Sequence, residues 1–346
     1  MKRPEQEKIV TMPARTRERL SFHTFPWRFF RRALVIFAVC TAALLVYVWQ
    51  RPVEVLFRMT AIGLRLKGIH SEYVAIDGRR IHYYTGGAYT GGSGTLVVLV
   101  HGLGGRSEDW ANLMPQLMRD HRRVYAPDLL GYGQSEKPGD ATYSVPEEAH
   151  LIEAFMDAQH LDQVDLAGWS MGGWIAMRVA LDRPQRIRRL MLYDSAGVRF
   201  NLSFDPGLFV PRTAQELTEL NALLNPGPVP SIPGFIERDV LRLSRKDGWV
   251  IRRSLDAMLT QKDLMDGKLG VLKMPVLIAW GRQDHLIPPA AGEAIHGEIP
   301  QSVLEIFDGC GHLAPRQCAA RIGPKTVEFL DADPPLSSRT EEIPAH

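Results

Sequence analysis

The chain has 346 residues, 45% hydrophobic and 23% charged, with 30 Gly and 24 Pro, an ordinary globular composition that excludes wholesale disorder, collagen and coiled coil. Net charge is +2, yet residues 1–32 hold nine Lys/Arg against three Glu, so the rest of the chain is net acidic and is not a basic nucleic-acid-binding body. Three cysteines exclude a disulfide-rich scaffold, and no Cys/His cluster has zinc spacing, so no metal is expected.

A basic tail over 1–32 leads into ALVIFAVCTAALLVYVW, residues 33–49, which carries no charge. As a helix it spans about 25 Å, the low end for a hydrocarbon core of about 30 Å. Arg31, Arg32 and Arg51 can snorkel at its ends, and Trp27, Tyr47 and Trp49 suit the interface. This predicts a retained transmembrane anchor. A cleaved signal peptide would want a small-x-small site where Tyr47–Pro52 stands, and a buried core helix would need more cover than the first 32 residues offer. Cys40 is apolar filler in this run. The Lys/Arg excess upstream predicts a cytoplasmic N-terminus and a large domain on the outer side, periplasmic or lumenal. Residues 50–69 form a juxtamembrane segment in which Val55, Leu56, Met59, Ile62 and Leu66 share one helical face. That face lies on the membrane, or packs the helix on the domain.

From residue 70 the pattern alternates between strand and helix. Eight strand-like runs are Glu72–Ile76, Arg80–Thr85, Thr95–Val100, Arg122–Pro127, Gln163–Ala167, Ile187–Tyr193, Pro275–Trp280 and Ser302–Phe307. TLVVLV and PVLIAW are apolar throughout, as strands covered on both faces require. Asp77-Gly78 between the first two marks a hairpin. The expected fold is α/β: a mostly parallel eight-stranded sheet with helices on both faces, core residues 70–196 and 270–330. Residues 197–269 show helical leucine spacing but no strand, and read as a helical lid over the C-terminal strand edge. Its apolar residues Phe235, Val240, Leu241, Trp249, Ile251, Leu255 and Met258 suit an acyl chain. Residues 331–346 are polar and Pro-rich, a flexible tail by composition.

Four segments carry chemistry. Gly168-Trp169-Ser170-Met171-Gly172-Gly173 joins a strand to a helix, the context a G-x-S-x-G nucleophile elbow requires, and makes Ser170 the candidate nucleophile. Gly309-Cys310-Gly311-His312 follows the eighth strand-like run; a hydroxyl needs a base titrating near neutrality, and His312 fits. Gly281-Arg282-Gln283-Asp284 follows PVLIAW, and Asp284 would hold the His312 tautomer, with Asp194 as the rival acid. His101-Gly102-Leu103-Gly104-Gly105 follows TLVVLV; Leu103 and Met171 N–H groups would form the oxyanion hole, with His101 bracing the loop. Asp128 reads as a structural turn residue. Trp169, Trp174 and Trp249 are candidate pocket residues, with structural packing an equal reading for the first two. Cys310 and Cys318 flank the histidine loop; two free thiols are the plainer expectation, and a disulfide is the alternative.

Together HGLGG, APDLLGYGQS, GWSMGG, GRQDHLIP and GCGHLAP, in that order, make the chain resemble the α/β-hydrolase superfamily. With its anchor and lid it is similar to membrane-anchored monoacylglycerol lipases and related bacterial lipases and esterases. The resemblance implies cleavage of carboxylic esters through an acyl-enzyme, with no cofactor. Ser170 departs from relatives that use Asp as nucleophile. Leu313-Ala314-Pro315-Arg316 departs from the aromatic-rich stretch typical of carbon–carbon bond hydrolases. The expected function is therefore a serine ester hydrolase acting on lipid-derived esters such as monoacylglycerols. A carbon–carbon bond hydrolase and a non-catalytic membrane scaffold are the alternatives. No nucleic-acid partner is expected, and oligomeric state is not encoded legibly.

Overall fold

A computed structural model describes residues 27–88, 95–118, 122–228 and 231–345. Most of the basic tail over 1–32, part of the Pro/Gly-rich loop 225–234 and His346 therefore lie outside the described residues. The chain divides into two compact units, 1–48 and 49–346.

In the first unit the described residues belong to helix α1 (Trp27–Gln50). Its segment Phe29–Gln50 is 22 residues long and is apolar enough to cross a membrane. Leu34 to Val48 include exposed apolar side chains, and none of the most apolar window is buried.

The second unit is built on one sheet. Its strands are β1 (Ile69–Ile76), β2 (Arg79–Gly86), β3 (Leu96–Val100), β4 (Arg123–Pro127), β5 (Val164–Trp169), β6 (Ile187–Tyr193), β7 (Val276–Gly281), β8 (Val303–Phe307) and β9 (Arg339–Ile343). Their order is β1-β2-β4-β3-β5-β6-β7-β8-β9. β1 and β2 pair antiparallel around Asp77-Gly78, both at positive φ (49° and 75°), as a two-residue hairpin with right-handed twist requires. β2 pairs antiparallel with β4, and every later pair is parallel.

The apolar runs are strands because both faces are covered. Val98 and Val100 pack into one buried cluster, while Val97 and Leu99 pack into the other. The first cluster includes residues of α4 (Val145–Ala158), α5 (Met171–Asp182) and α8 (Pro289–Glu298). The second includes residues of α2 (Pro52–Leu66), the one-turn helices α3 (Met114–Leu117) and α9 (Ala314–Gln317), and α10 (Ala319–Asp331).

The sheet has nine strands where the sequence pattern predicts eight. The extra strand corrects the expectation of a flexible tail: RTEEI pairs in parallel register with β8, from Val303↔Arg339 to Phe307↔Ile343. Three of its five residues are charged, so composition hides it, but an edge strand tolerates charge on its open face, and Lys325 reaches across to Glu341.

Residues 197–269 hold no strand. They contain a 3₁₀ turn at Pro206–Phe209, α6 (Ala214–Leu224), the 26-residue α7 (Gly234–Leu259) and a 3₁₀ turn that begins at Leu269. α6 starts where Thr213 caps it by accepting from the Glu216 N–H. α2 packs on the domain through one face and leaves the other exposed. Leu64 is buried and Phe57 lies under the Arg106 guanidinium at 3.9 Å, whereas Leu56, Met59, Ile62 and Leu66 are 53–84% exposed.

Candidate active site

The strand-to-helix turn at Ser170 is a forced conformation. Ser170 sits at φ 55°, ψ −122°, between the end of β5 and the first residue of α5. The turn is held by Ser170 N–H donating to Tyr193 O at 3.0 Å and by Ser170 O accepting from Gly173 N at 2.9 Å and Ala196 N at 3.0 Å. Such tight packing explains the glycines: a Cβ on Gly168 would lie 2.1 Å from Gly172 O, and one on Gly172 would lie 2.1 Å from Val100 O. A side chain in a sparsely populated backbone region is kept there only by surroundings that over-determine it.

Three buried side chains meet at this turn. His312 Nε2 lies 3.0 Å from Ser170 Oγ, and His312 Nδ1 lies 2.7 Å from Asp284 Oδ2. Asp284 Oδ1 accepts from Leu286 N at 2.8 Å and Ile287 N at 2.9 Å. With Nδ1–H donating to the carboxylate, Nε2 is left as the acceptor for the serine hydroxyl. An imidazole so placed can take a proton from Ser170 and hold the resulting positive charge against Asp284.

The loops that carry these groups are sewn together. Trp169 Nε1–H donates to His312 O at 2.8 Å. Gln283 N–H donates to Cys310 O at 2.9 Å, and Gln283 Oε1 accepts from Gly309 N at 2.8 Å. Cys310 and Cys318 form a disulfide across the histidine loop, which corrects the expectation of two free thiols. Their separation of eight residues permits either state; the short α9 between them folds the chain back and brings their Cα atoms to 6.2 Å. Thiol titration of the denatured, unreduced protein should therefore count one thiol, from Cys40, rising to three after reduction. Three before reduction would exclude the bridge.

Asp194, the rival acid, lies close by but turns to a different task. Its Oδ1 accepts from Gly281 N–H at 2.7 Å, which ties the end of β6 to the end of β7. Burial, and then the neighbouring charge of Asp284, push its pKa well above the usual carboxylate range.

Leu103 N–H has no protein acceptor among the described residues. Met171 is the first residue of α5, where helix N–H groups have no partner inside the helix. Gly102 brings the first loop against the nucleophile turn, since a Cβ there would lie 3.0 Å from Ser170 Cβ. His101 braces that loop: its Nδ1 bonds Gly102 O at 2.8 Å, and its Nε2 accepts from Leu129 N at 3.0 Å. Burial pulls its pKa down, which favours the neutral ring these bonds need. Asp128 sits behind the loop, accepting from Ser107 N, Gln134 N and the His82 ring. Burial raises its pKa, but the His82 hydrogen bond and further favourable partners outweigh this and leave it at about 2.

A cavity opens at Ser170. Its walls include Leu103, Trp174, Leu286 and Ile287 from the core, and Phe200, Phe204, Phe209, Leu255, Met258 and Leu264 from the insertion. Of the three tryptophans singled out from sequence, Trp174 lines it, with its Nε1–H on Asp263 O at 2.9 Å. Trp169 does not; its ring packs behind the histidine loop among buried residues. Trp249 also lies elsewhere, 38% exposed and edge-on to Tyr143 at 5.8 Å between ring centroids. Of the apolar lid residues expected there, Leu255 and Met258 reach the cavity, whereas Phe235 stacks on Trp49 at 4.9 Å. The aromatic wall Phe200, Phe204 and Phe209 is missed by periodicity because it lies in irregular chain after β6; its only signal is three phenylalanines in ten residues.

Residues 95–221 and 244–315 match the α/β hydrolase fold family, and the chain belongs to it. It is similar to the 2-hydroxymuconate semialdehyde hydrolase of a Pseudomonas species, 30% identical over 258 residues that cover 69% of this chain and 88% of the relative. It is also similar to the 2-hydroxy-6-oxo-2,4-heptadienoate hydrolase of Pseudomonas putida, 32% identical over 246 residues, 64% of this chain and 83% of the relative. Among solved structures, a membrane phospholipase A described as a bacterial virulence factor superposes with a TM-score of 0.74 at 24% identity. That match covers 88% of this chain and 98% of the other and shows a common fold. The protein is thus an α/β hydrolase.

Proposed function

We propose that the protein is a serine hydrolase of carboxylic esters with an apolar acyl chain, lipid-derived esters such as monoacylglycerols among them. The observation that carries this reading is the cavity: Ser170 lines it, and phenylalanine, leucine and methionine side chains make up much of its wall. In this reading Ser170 attacks the ester carbonyl while His312 takes its proton. The Leu103 and Met171 N–H groups receive the negative charge of the tetrahedral intermediate. Protonated His312 then passes its proton to the departing alcohol, and water repeats the cycle to free the acid and restore Ser170.

α1 supports a membrane setting, as a single-pass anchor with the hydrolase unit on the outer side. The exposed apolar face of α2 then lies along the lipid surface. Ester substrates would reach the cavity from that surface.

A second reading, cleavage of carbon–carbon bonds, is favoured by the names of the two Pseudomonas relatives. Product analysis on a glycerol ester and on a dienoic diketone separates the two. A panel of esters of rising acyl length tests the first. Each methylene buried in the cavity is worth about 0.8 kcal/mol, so kcat/KM should climb roughly fourfold per methylene until the cavity is filled. A steep preference for acetate, or turnover of the diketone alone, overturns the lipid-ester reading.

A further inference from the structure

A second cavity lies outside the Ser170 site and shares no wall with it. It is lined by Trp49, Gln50, Arg51, Arg238, Asp239, Arg242 and Arg245. Arg238, Arg242 and Arg245 are spaced four and three residues apart on α7, which puts them on one helical face. The single carboxylate is already engaged: buried Asp239 accepts from Arg242 Nε at 2.8 Å through Oδ1 and from Val53 N at 3.2 Å through Oδ2. Among the described residues, Arg51, Arg238 and Arg245 take part in no ion pair. Three unmatched guanidinium groups converging on one hollow repel one another unless an anion sits between them.

The chemistry of that anion follows from the donors. Guanidinium forks match the tetrahedral oxygens of a phosphate, each offering paired N–H groups. The rest of the wall says where the phosphate comes from. Trp49 and Gln50 end the apolar segment of α1 and Arg51 follows it, so chain continuity places them at headgroup depth when that segment is embedded. The Trp49 ring is exposed, stacked on Phe235 and faced by the Arg238 guanidinium at 5.8 Å, an amphipathic surface of the kind found at membrane interfaces. Leu56, Met59, Ile62 and Leu66, on the helix that begins at Pro52, supply exposed apolar area for the attached chains. A soluble phosphate would need neither the aromatic ring nor the apolar face.

We propose that this arginine-lined cavity binds the phosphate of an anionic phospholipid. The site is separate from the proposed site of hydrolysis, and three of its four arginines lie on α7, whose last turns carry Leu255, Met258 and Leu259 of the Ser170 cavity. The lipid here is a ligand and not a substrate.

The test uses the full chain in detergent micelles with Ser170→Ala, so that no probe is consumed. Three probes are titrated: dioctanoyl phosphatidylglycerol, dioctanoylglycerol and inorganic phosphate. Phosphatidylglycerol should bind, and the double substitution Arg238→Gln/Arg245→Gln should weaken it by roughly 10- to 100-fold or more, as expected for losing charge-assisted hydrogen bonds. Both side chains are exposed, so the unfolding temperature without lipid should stay unchanged; Arg51→Gln, outside α7, is the second variant and should weaken binding in the same direction. Binding of dioctanoylglycerol as tight as that of phosphatidylglycerol, or variants that bind as well as the parent, overturns the phosphate site. Inorganic phosphate bound as tightly as the lipid overturns the lipid source. None of these outcomes depends on ester turnover, so the test stands apart from the hydrolase reading.

Discussion

Ser170→Ala should reduce ester turnover by on the order of 10⁴- to 10⁶-fold and abolish covalent labelling by a fluorophosphonate probe. The size follows from geometry. Ser170 Oγ lies 3.0 Å from His312 Nε2, and the hydroxyl is presented by a backbone turn that alanine keeps but cannot use. Groups that act as one unit lose function together, so His312→Ala should fall nearly as far as Ser170→Ala, and the double variant little further. Labelling separates chemistry from folding: a variant with an unchanged unfolding temperature and no label has lost the reactive hydroxyl alone. A wild-type chain that resists the probe would leave the fold with a scaffold role, and a Ser170→Ala chain that still turns over ester would place the nucleophile elsewhere.

Much of this site is legible in sequence because each reactive residue follows an apolar strand and stands among glycines. TLVVLV and PVLIAW are apolar runs buried on both faces, and the first imidazole or charged side chain after each, His101 and Arg282, marks where the chain leaves the sheet. Where a strand must meet another chain closely, only glycine fits, and Gly168 and Gly172 advertise the turn that displays Ser170. The same logic fails at β9. RTEEI has neither an apolar run nor a turn signal, and its pairing with β8 depends on α10 returning the chain to the sheet edge.

The cavity wall is the other part that sequence conceals. α7 is amphipathic over 26 residues, but the pattern does not say which neighbour each face meets. Trp249 looks like a pocket residue by type, yet it packs on Tyr143; Leu255, six positions later and on a different face, lines the cavity. The arginine cavity is hidden for a related reason. Arg238, Arg242 and Arg245 alone read as an ordinary solvated helix face, and only the folded chain sets Trp49–Arg51, nearly two hundred residues away, opposite them. The disulfide is equally a property of the fold, since spacing allows but does not require it.

Asp284→Asn should cost on the order of 10⁴-fold in kcat, and Asp194→Asn less than about tenfold, although both carboxyls are buried next to the same loops. Asn at 284 can still accept from Leu286 and Ile287 through its oxygen, so the loop survives. Its amide nitrogen, however, would face His312 Nδ1 and make that atom the acceptor, leaving the proton on Nε2, where it blocks transfer from Ser170. Asp194 meets no such constraint, because its bond is to the Gly281 N–H, and an amide oxygen accepts as well as a neutral carboxyl. The pH dependence of stability gives a second signature. Burial and the Asp284 charge raise the folded-state pKa of Asp194 far above its unfolded value of about 3.9, so the folded state holds the extra proton. Stability attributable to this group is therefore present at low pH and declines as pH rises through about 4 towards the folded pKa. The amide does not titrate. Denaturant midpoints at pH 4 and pH 7.5 should show Asp194→Asn gaining on the wild type as pH rises, and any constant cost of the amide cancels in that comparison. A variant that loses ground with rising pH, or loses as much activity as Asp284→Asn, would make Asp194 the ionised partner and transfer the acid role to it.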